Sequence, residues 1–330
     1  MVHAARSSRR IFRNNLVDNP DFKMTYCVAM RLDEGLVFLA DSRTNAGVDH
    51  VSTFRKMTVY EQVGERVLVM MTSGNLASGQ AVRQIVSEAR DADGTSVWNC
   101  KTMFRAARIV GDAVRRVRAR DAAALEEAGI EFTMSIVFGG QIKGESCRLF
   151  LIYSAGNFIE ALPESPYFQI GEAKYGKPVL DRMITPAATL DEGAKCALVS
   201  MDSTMRSNLS VGMPLDLLCY EADSLAVTRF AMIDAQNQYF GMIHDTWGQR
   251  LKQVFSEIPD PTWDASGALA GIAALPARET GKYARNGAHG PAAQPVRVLP
   301  PRDIEADLDP AVSESFQTLA DESNEPGQPG

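Results

Sequence analysis

The chain has 330 residues, 45% of them hydrophobic and 23% charged, with a formal net charge of −7. That balance suits a globular domain with a sizeable core, and the acidic surplus argues against a nucleic-acid binder. No apolar run reaches the roughly 18 residues that a membrane span needs, and the five cysteines form no C-x-x-C pair, so they read as small buried residues in a reduced, cytoplasmic setting.

Residues 1–23 carry four arginines and no continuous apolar stretch, so they do not read as a secretory signal. They read as a propeptide or as an upstream misassigned start, with Met24-Thr25 the more sensible beginning. From Thr25 the pattern changes. Residues 25–32 and 35–41 read as two strands around the turn Asp33-Glu34-Gly35. Residues 56–61 and 66–72 read as a second pair around Gly64. After Ser73-Gly74-Asn75, residues 76–90 take helical spacing through Ala77, Ala81, Val82 and Ile85. A longer helix is expected over 102–127, with its arginines on a solvated face.

Strands return at 131–138, 148–154 and 167–170. Helices follow at 175–183 and 190–205. The second of these starts in a capping box, Thr189 with Glu192. Strands at 215–220 and 225–232 and a helix over 235–254 complete the pattern. Strands adjacent in sequence predict antiparallel pairing, and paired helices predict layers outside two stacked sheets. The expected fold class is therefore α+β, a four-layer αββα sandwich over residues 25–261. Beyond Pro261 the composition turns to Ala, Pro and Gly, and from Asp303 onward there are eight acidic residues and no Lys or Arg. Residues 262–330 read as a mostly disordered tail.

The chemistry is constrained by what is scarce. Of the four histidines only His50 and His244 lie between the tails, and there is no Gly-x-Ser-x-Gly elbow, no Gly-x-Gly-x-x-Gly and no Walker loop. Serine-hydrolase, dehydrogenase and ATPase readings weaken together, and zinc-ligand spacing is absent. A threonine at a chain terminus needs no histidine, because its own α-amine can take the hydroxyl proton. That amine titrates ordinarily at about 7.7–8.0. A neighbouring lysine lowers it, and a carboxylate can hold the lysine. Thr25 opens the first strand, Asp41 closes the second, Lys56 opens the third, and Gly74 sits at a strand-to-helix junction where its N–H is free of any side chain.

The run TYCVAMRLDEGLVFLADSRTNAG, then FRKM, then VMMTSGNLASGQAV, resembles a proteasome β-type subunit. It is most similar to the bacterial ancestral β-subunit group, Anbu, over residues 25–260. The resemblance implies an N-terminal-nucleophile threonine peptidase. Thr25 would be the nucleophile, Asp41 the partner of Lys56, Lys56 the lysine that tunes the amine, and Gly74 the oxyanion donor. Asn45 stands where the family has a substrate-binding threonine, with Gly47 after it, and Thr72 and Leu76 would flank the specificity pocket. Two departures stand out. Glu172 replaces the serine of a Gly-Ser-Gly turn. In an Asp-x-x-Ser-Gly element Ser207 takes the Asp position and Ser210 the Ser position, with Asp202 a nearby carboxylate able to compensate. The resemblance implies a homo-oligomer, ring or spiral, acting on peptide or unfolded protein without metal or organic cofactor; nothing marks a docking site for an unfoldase ATPase. A small-amide amidase or acyltransferase and a weakly catalytic assembly protein of the same fold are the alternatives.

Overall fold

The computed structural model describes residues 25–45, 51–90, 93–266 and 269–272. The chain opens with β1 (Tyr26–Leu32), β2 (Gly35–Asp41), β3 (Arg43–Asn45), β4 (Val51–Thr53), β5 (Met57–Gln62) and β6 (Arg66–Gly74). Helices α1 (Leu76–Glu88) and α2 (Met103–Glu127) come next, then β7 (Met134–Ile142), β8 (Arg148–Tyr153), β9 (Phe158–Glu160) and β10 (Tyr167–Gly171). The last part holds α3 (Lys177–Met183), α4 (Leu190–Ser207), β11 (Leu215–Glu221), β12 (Arg229–Ile233), α5 (Gln238–Glu257), β13 (Pro261–Trp263) and β14 (Leu269–Ile272).

Two five-stranded antiparallel sheets form, in the orders β10-β1-β2-β11-β12 and β5-β6-β7-β8-β9. The class is α+β. Successive side chains of a strand point to opposite faces, and here both faces are buried. In β1, Tyr26, Val28 and Met30 join a core with Leu190, Ala197 and Met201 of α4, while Cys27 and Ala29 point the other way. In β6, Leu68 and Met70 pack with Val82 of α1 and Val110 of α2, while Val67, Val69 and Met71 join Cys27, Phe38 and Leu218 of the first sheet. Two-sided burial is why these strands read as continuous apolar runs rather than as an alternation.

The capping box at the start of α4 forms: Glu192 N–H donates to Thr189 Oγ1 at 3.2 Å, and Thr189 N–H to Glu192 Oε2 at 3.0 Å. All five cysteines are free and buried. Three differences from the sequence expectation have local causes. The strand expected at 225–232 begins at Arg229, because Asp223 and Leu225 hold positive φ and spend the first residues in a turn. The last helix begins at Gln238, where the Asn237 side chain accepts from Phe240 N–H, rather than at 235. The short strands β3, β4 and β9 carry too few residues to show a period, and β13 and β14, apart from Pro261, fall in the stretch that composition assigns to the tail. Residues 1–24 and 273–330, expected as extension and tail, lie outside the described residues. No helix among the described residues is long and apolar enough to cross a membrane.

Candidate active site

The β1–β2 hairpin brings the start of one strand beside the end of the next. Cys27 pairs with Ala40, so the residues just outside that pair meet as well. Tyr26 N–H donates to Asp41 Oδ1 at 3.0 Å, which fixes the carboxylate against the Thr25–Tyr26 peptide bond. Asp41 is wholly buried, and Thr25 is 8% exposed. Lys56 precedes β5 in the opposite sheet and crosses the gap, so that Nζ donates to the same Asp41 Oδ1 at 2.7 Å and to the Arg43 carbonyl at 2.7 Å. Burial pushes the Asp41 carboxyl up, and the Lys56 ammonium with the Tyr26 and Gly212 amides pulls it back. The three residues that the sequence singles out as nucleophile, carboxylate and lysine thus lie in one buried cluster.

Two glycines shape the surroundings. Gly171 has φ +80°, and a Cβ there would fall 1.9 Å from the Thr25 carbonyl oxygen. The bare turn lets Glu172 N–H donate to Thr25 O at 2.6 Å, anchoring the residue just before β1. Gly74 ends β6 at φ +119°, and a Cβ there would meet the Thr133 carbonyl at 2.2 Å. Asn75 follows as N-cap of α1, its side chain accepting from Ser78 N–H at 3.1 Å. Gly74 therefore lies just before a helix N-terminus, whose dipole favours negative charge.

Glu172 and Ser210 meet through a residue the sequence reading passed over. Asn208, the C-cap of α4, accepts from Ser210 N–H at 2.9 Å and Ser210 Oγ at 2.6 Å, and donates to Glu172 Oε2 at 3.2 Å. Glu172 is 7% exposed and lines this cluster. Ser207, read in the family's Asp position, ends α4 exposed to solvent. Asp202, read as a compensating carboxylate, turns instead to α5, where His244 Nδ1 lies 2.6 Å from its Oδ1. The helix phase explains this: Asp202 faces α5, while the loop after Asn208 returns to the sheet.

Arg43, part of the quoted ADSRTNAG run but without a role there, also joins the cluster. Its Nη1 donates to Leu209 O at 2.9 Å, and its guanidinium fills the space beside Gly212, where a Cβ would stand 2.4 Å from Cζ. Thr72 joins the site through its backbone, N–H donating to Lys56 O at 3.2 Å, and Leu76, first residue of α1, is 40% exposed. Asn45 closes β3 opposite Val51. Gly47 lies outside the described residues. No group of three or more His, Cys, Asp or Glu placed to hold a metal occurs among the described residues.

Solved structures carry the same fold at high identity. The Gly-1 mutant of Anbu from Hyphomicrobium sp. strain MC1 is 50% identical over 72% of this chain and 98% of its own, with a TM-score of 0.67. The chain belongs to the Anbu family. Anbu, the ancestral β-subunit, from Yersinia bercovieri is 48% identical over 72% of this chain and all of its own, TM-score 0.67. The Anbu complex of Pseudomonas aeruginosa, described as a helical assembly, is 46% identical over 72% and 98%, TM-score 0.68. No family model and no curated protein matches the sequence. Membership in Anbu places the chain among proteasome-like β subunits.

Proposed function

We propose that this Anbu chain is a threonine-type peptidase subunit of the N-terminal-nucleophile class, with the four-layer αββα sandwich of that class and residues 25–261 as its peptidase domain. One observation carries the reading. The buried Asp41 carboxylate holds the Lys56 ammonium at 2.7 Å and the Tyr26 amide at 3.0 Å on one oxygen, at the peptide bond that joins Thr25 to Tyr26. A lysine fixed there by a carboxylate has no structural need to be near the residue that precedes a strand. It has a chemical one if Thr25 carries a free α-amine: a fixed cation disfavours a second positive charge and keeps the amine neutral.

With Thr25 as the first residue, the hydroxyl attacks a peptide carbonyl and its proton passes to the amine of the same residue. The tetrahedral oxyanion is met by Gly74 N–H at the end of β6, just before α1. The protonated amine hands its proton to the leaving amine, and an ester links Thr25 to the acyl fragment. Water, deprotonated by the same amine, hydrolyses that ester. Asp41 and Lys56 set the field throughout, Glu172 and Ser210 support Thr25 from the far side, and Asn45, Thr72 and Leu76 border the substrate. The described helical assembly of the Pseudomonas relative supports a homo-oligomer here as well.

Thr25→Ala tests this. Turnover of fluorogenic peptides should fall by about 10³-fold or more, with fold and assembly unchanged. Undiminished cleavage would sink the assignment. Running small amides beside the peptides separates an amidase of the same fold from a peptidase.

A further inference from the structure

Arg55 and Lys56 are consecutive, and each reaches a carboxylate on a neighbouring strand of the first sheet. Lys56 meets Asp41 at the end of β2. Arg55 Nε lies 3.9 Å from Asp216 Oδ1 on β11. The β2–β11 register places Leu215 opposite Asp41 and Asp216 opposite Ala40, so the two carboxylates sit on adjacent strands, one residue out of step. Two cations of one short segment therefore face two anions of one sheet.

Asp216 is 1% exposed, and its Oδ1 accepts no hydrogen bond among the described residues. A buried carboxylate with an unfilled oxygen is costly to keep, so its retention asks for a reason. Arg55 is docked on the same patch by two further contacts, both to β12. Its guanidinium lies 5.9 Å from the Phe230 ring centroid, and Nη2 donates to Met232 Sδ at 3.5 Å. Meanwhile the segment is shared between the sheets. Lys56 O accepts from Thr72 N–H of the second sheet, while Phe54 N–H donates to Ser42 O just after β2. The ammonium of Lys56 must reach Asp41 from a backbone that belongs to the other sheet, so the local alignment of the two sheets sets that distance.

We infer that Asp216 is a positioning residue: acting through Arg55, it clamps the 54–56 segment onto the first sheet and keeps Lys56 Nζ on Asp41. A half-exposed pair at this separation adds little to stability. The clamp is therefore read in the position of Lys56 Nζ and in kcat against KM, and a purely structural role would not split the second. The kinetic consequence rests on the peptidase reading; the geometric one does not.

The test is a set of crystal structures of the full chain carrying Asp216→Asn, Arg55→Ala and Arg55→Lys, beside the unaltered protein. In the first two, Lys56 Nζ should leave Asp41 by about 1 Å or more, a displacement that in an active site lowers kcat about tenfold to a hundredfold while KM changes little. Arg55→Lys keeps a cation and should keep Lys56 in place. Lys56 remaining within hydrogen-bond distance of Asp41 in both Asp216→Asn and Arg55→Ala overturns the inference. The position is read whether or not the chain cleaves peptides, so an inactive parent protein would count against the peptidase reading alone. If Asp216→Asn fails to fold, Arg55→Ala decides, since it trims a half-exposed side chain.

Discussion

Replacing Lys56 by methionine tests the electrostatic core of the site without touching its shape. The side chain is 7% exposed, and its ammonium is the one full positive charge within hydrogen-bond distance of Asp41 among the described residues. Removing it leaves a wholly buried carboxylate with the Tyr26 amide at 3.0 Å and the Gly212 amide at 3.5 Å. Breaking a buried pair by deleting one partner costs about 3–5 kcal/mol. For a domain of this size that lowers Tm by about 6–20 °C. The loss depends on pH. Burial already raises the folded carboxyl above its ordinary value, and without Lys56 the opposing pull is gone. A group raised in the folded state contributes stability that is complete below its unfolded value, about 3.9, and is lost as pH rises through the folded one. Lys56→Met should therefore be closest to the parent protein in mild acid and furthest from it above neutrality. Adding Asp41→Asn, which keeps an acceptor for Tyr26 N–H, should recover most of the loss. Scanning calorimetry at fixed protein concentration across pH reads all of this. A Lys56→Met protein that melts within about 2 °C of the parent at every pH would refute the reasoning, because a shift that small corresponds to less than 1 kcal/mol.

Gly171→Ala places a Cβ 1.9 Å from the Thr25 carbonyl, so the Glu172 N–H to Thr25 bond must break or the turn must shift; kcat for peptide cleavage should fall about a hundredfold per ångström of displacement of Thr25, measured by steady-state kinetics. Thr189→Ala removes the capping box of α4 far from the chemistry, with an expected loss of about 1 kcal/mol read as a Tm drop of about 2–4 °C, and with unchanged turnover.

The parts of this molecule that are legible in its sequence are those fixed by local pattern. The β1–β2 hairpin announces itself through Asp33-Glu34-Gly35 between two apolar runs, and that hairpin alone brings Asp41 beside Thr25. Helix α4 is legible because Thr189 and Glu192 write its start. Lys56 joins the site only across the gap between two sheets, which is why family resemblance rather than periodicity points to it. Asn208 and Arg43 are illegible for the same reason: a cap asparagine and a strand arginine are ordinary until the fold sets them against Glu172, Ser210 and Gly212. The misplacement of Asp202 has a simpler origin. Nearness in sequence to Ser210 suggested nearness in space, whereas the helix turns that carboxylate toward His244.

The peptidase account stands or falls on the α-amine of Thr25. Intact mass and N-terminal sequencing of the protein purified from its native host measure it directly. The account predicts a mature chain that starts at Thr25. A mature chain that starts at Met1 or Val2 would leave Thr25 inside a peptide bond, without a base, and would contradict it.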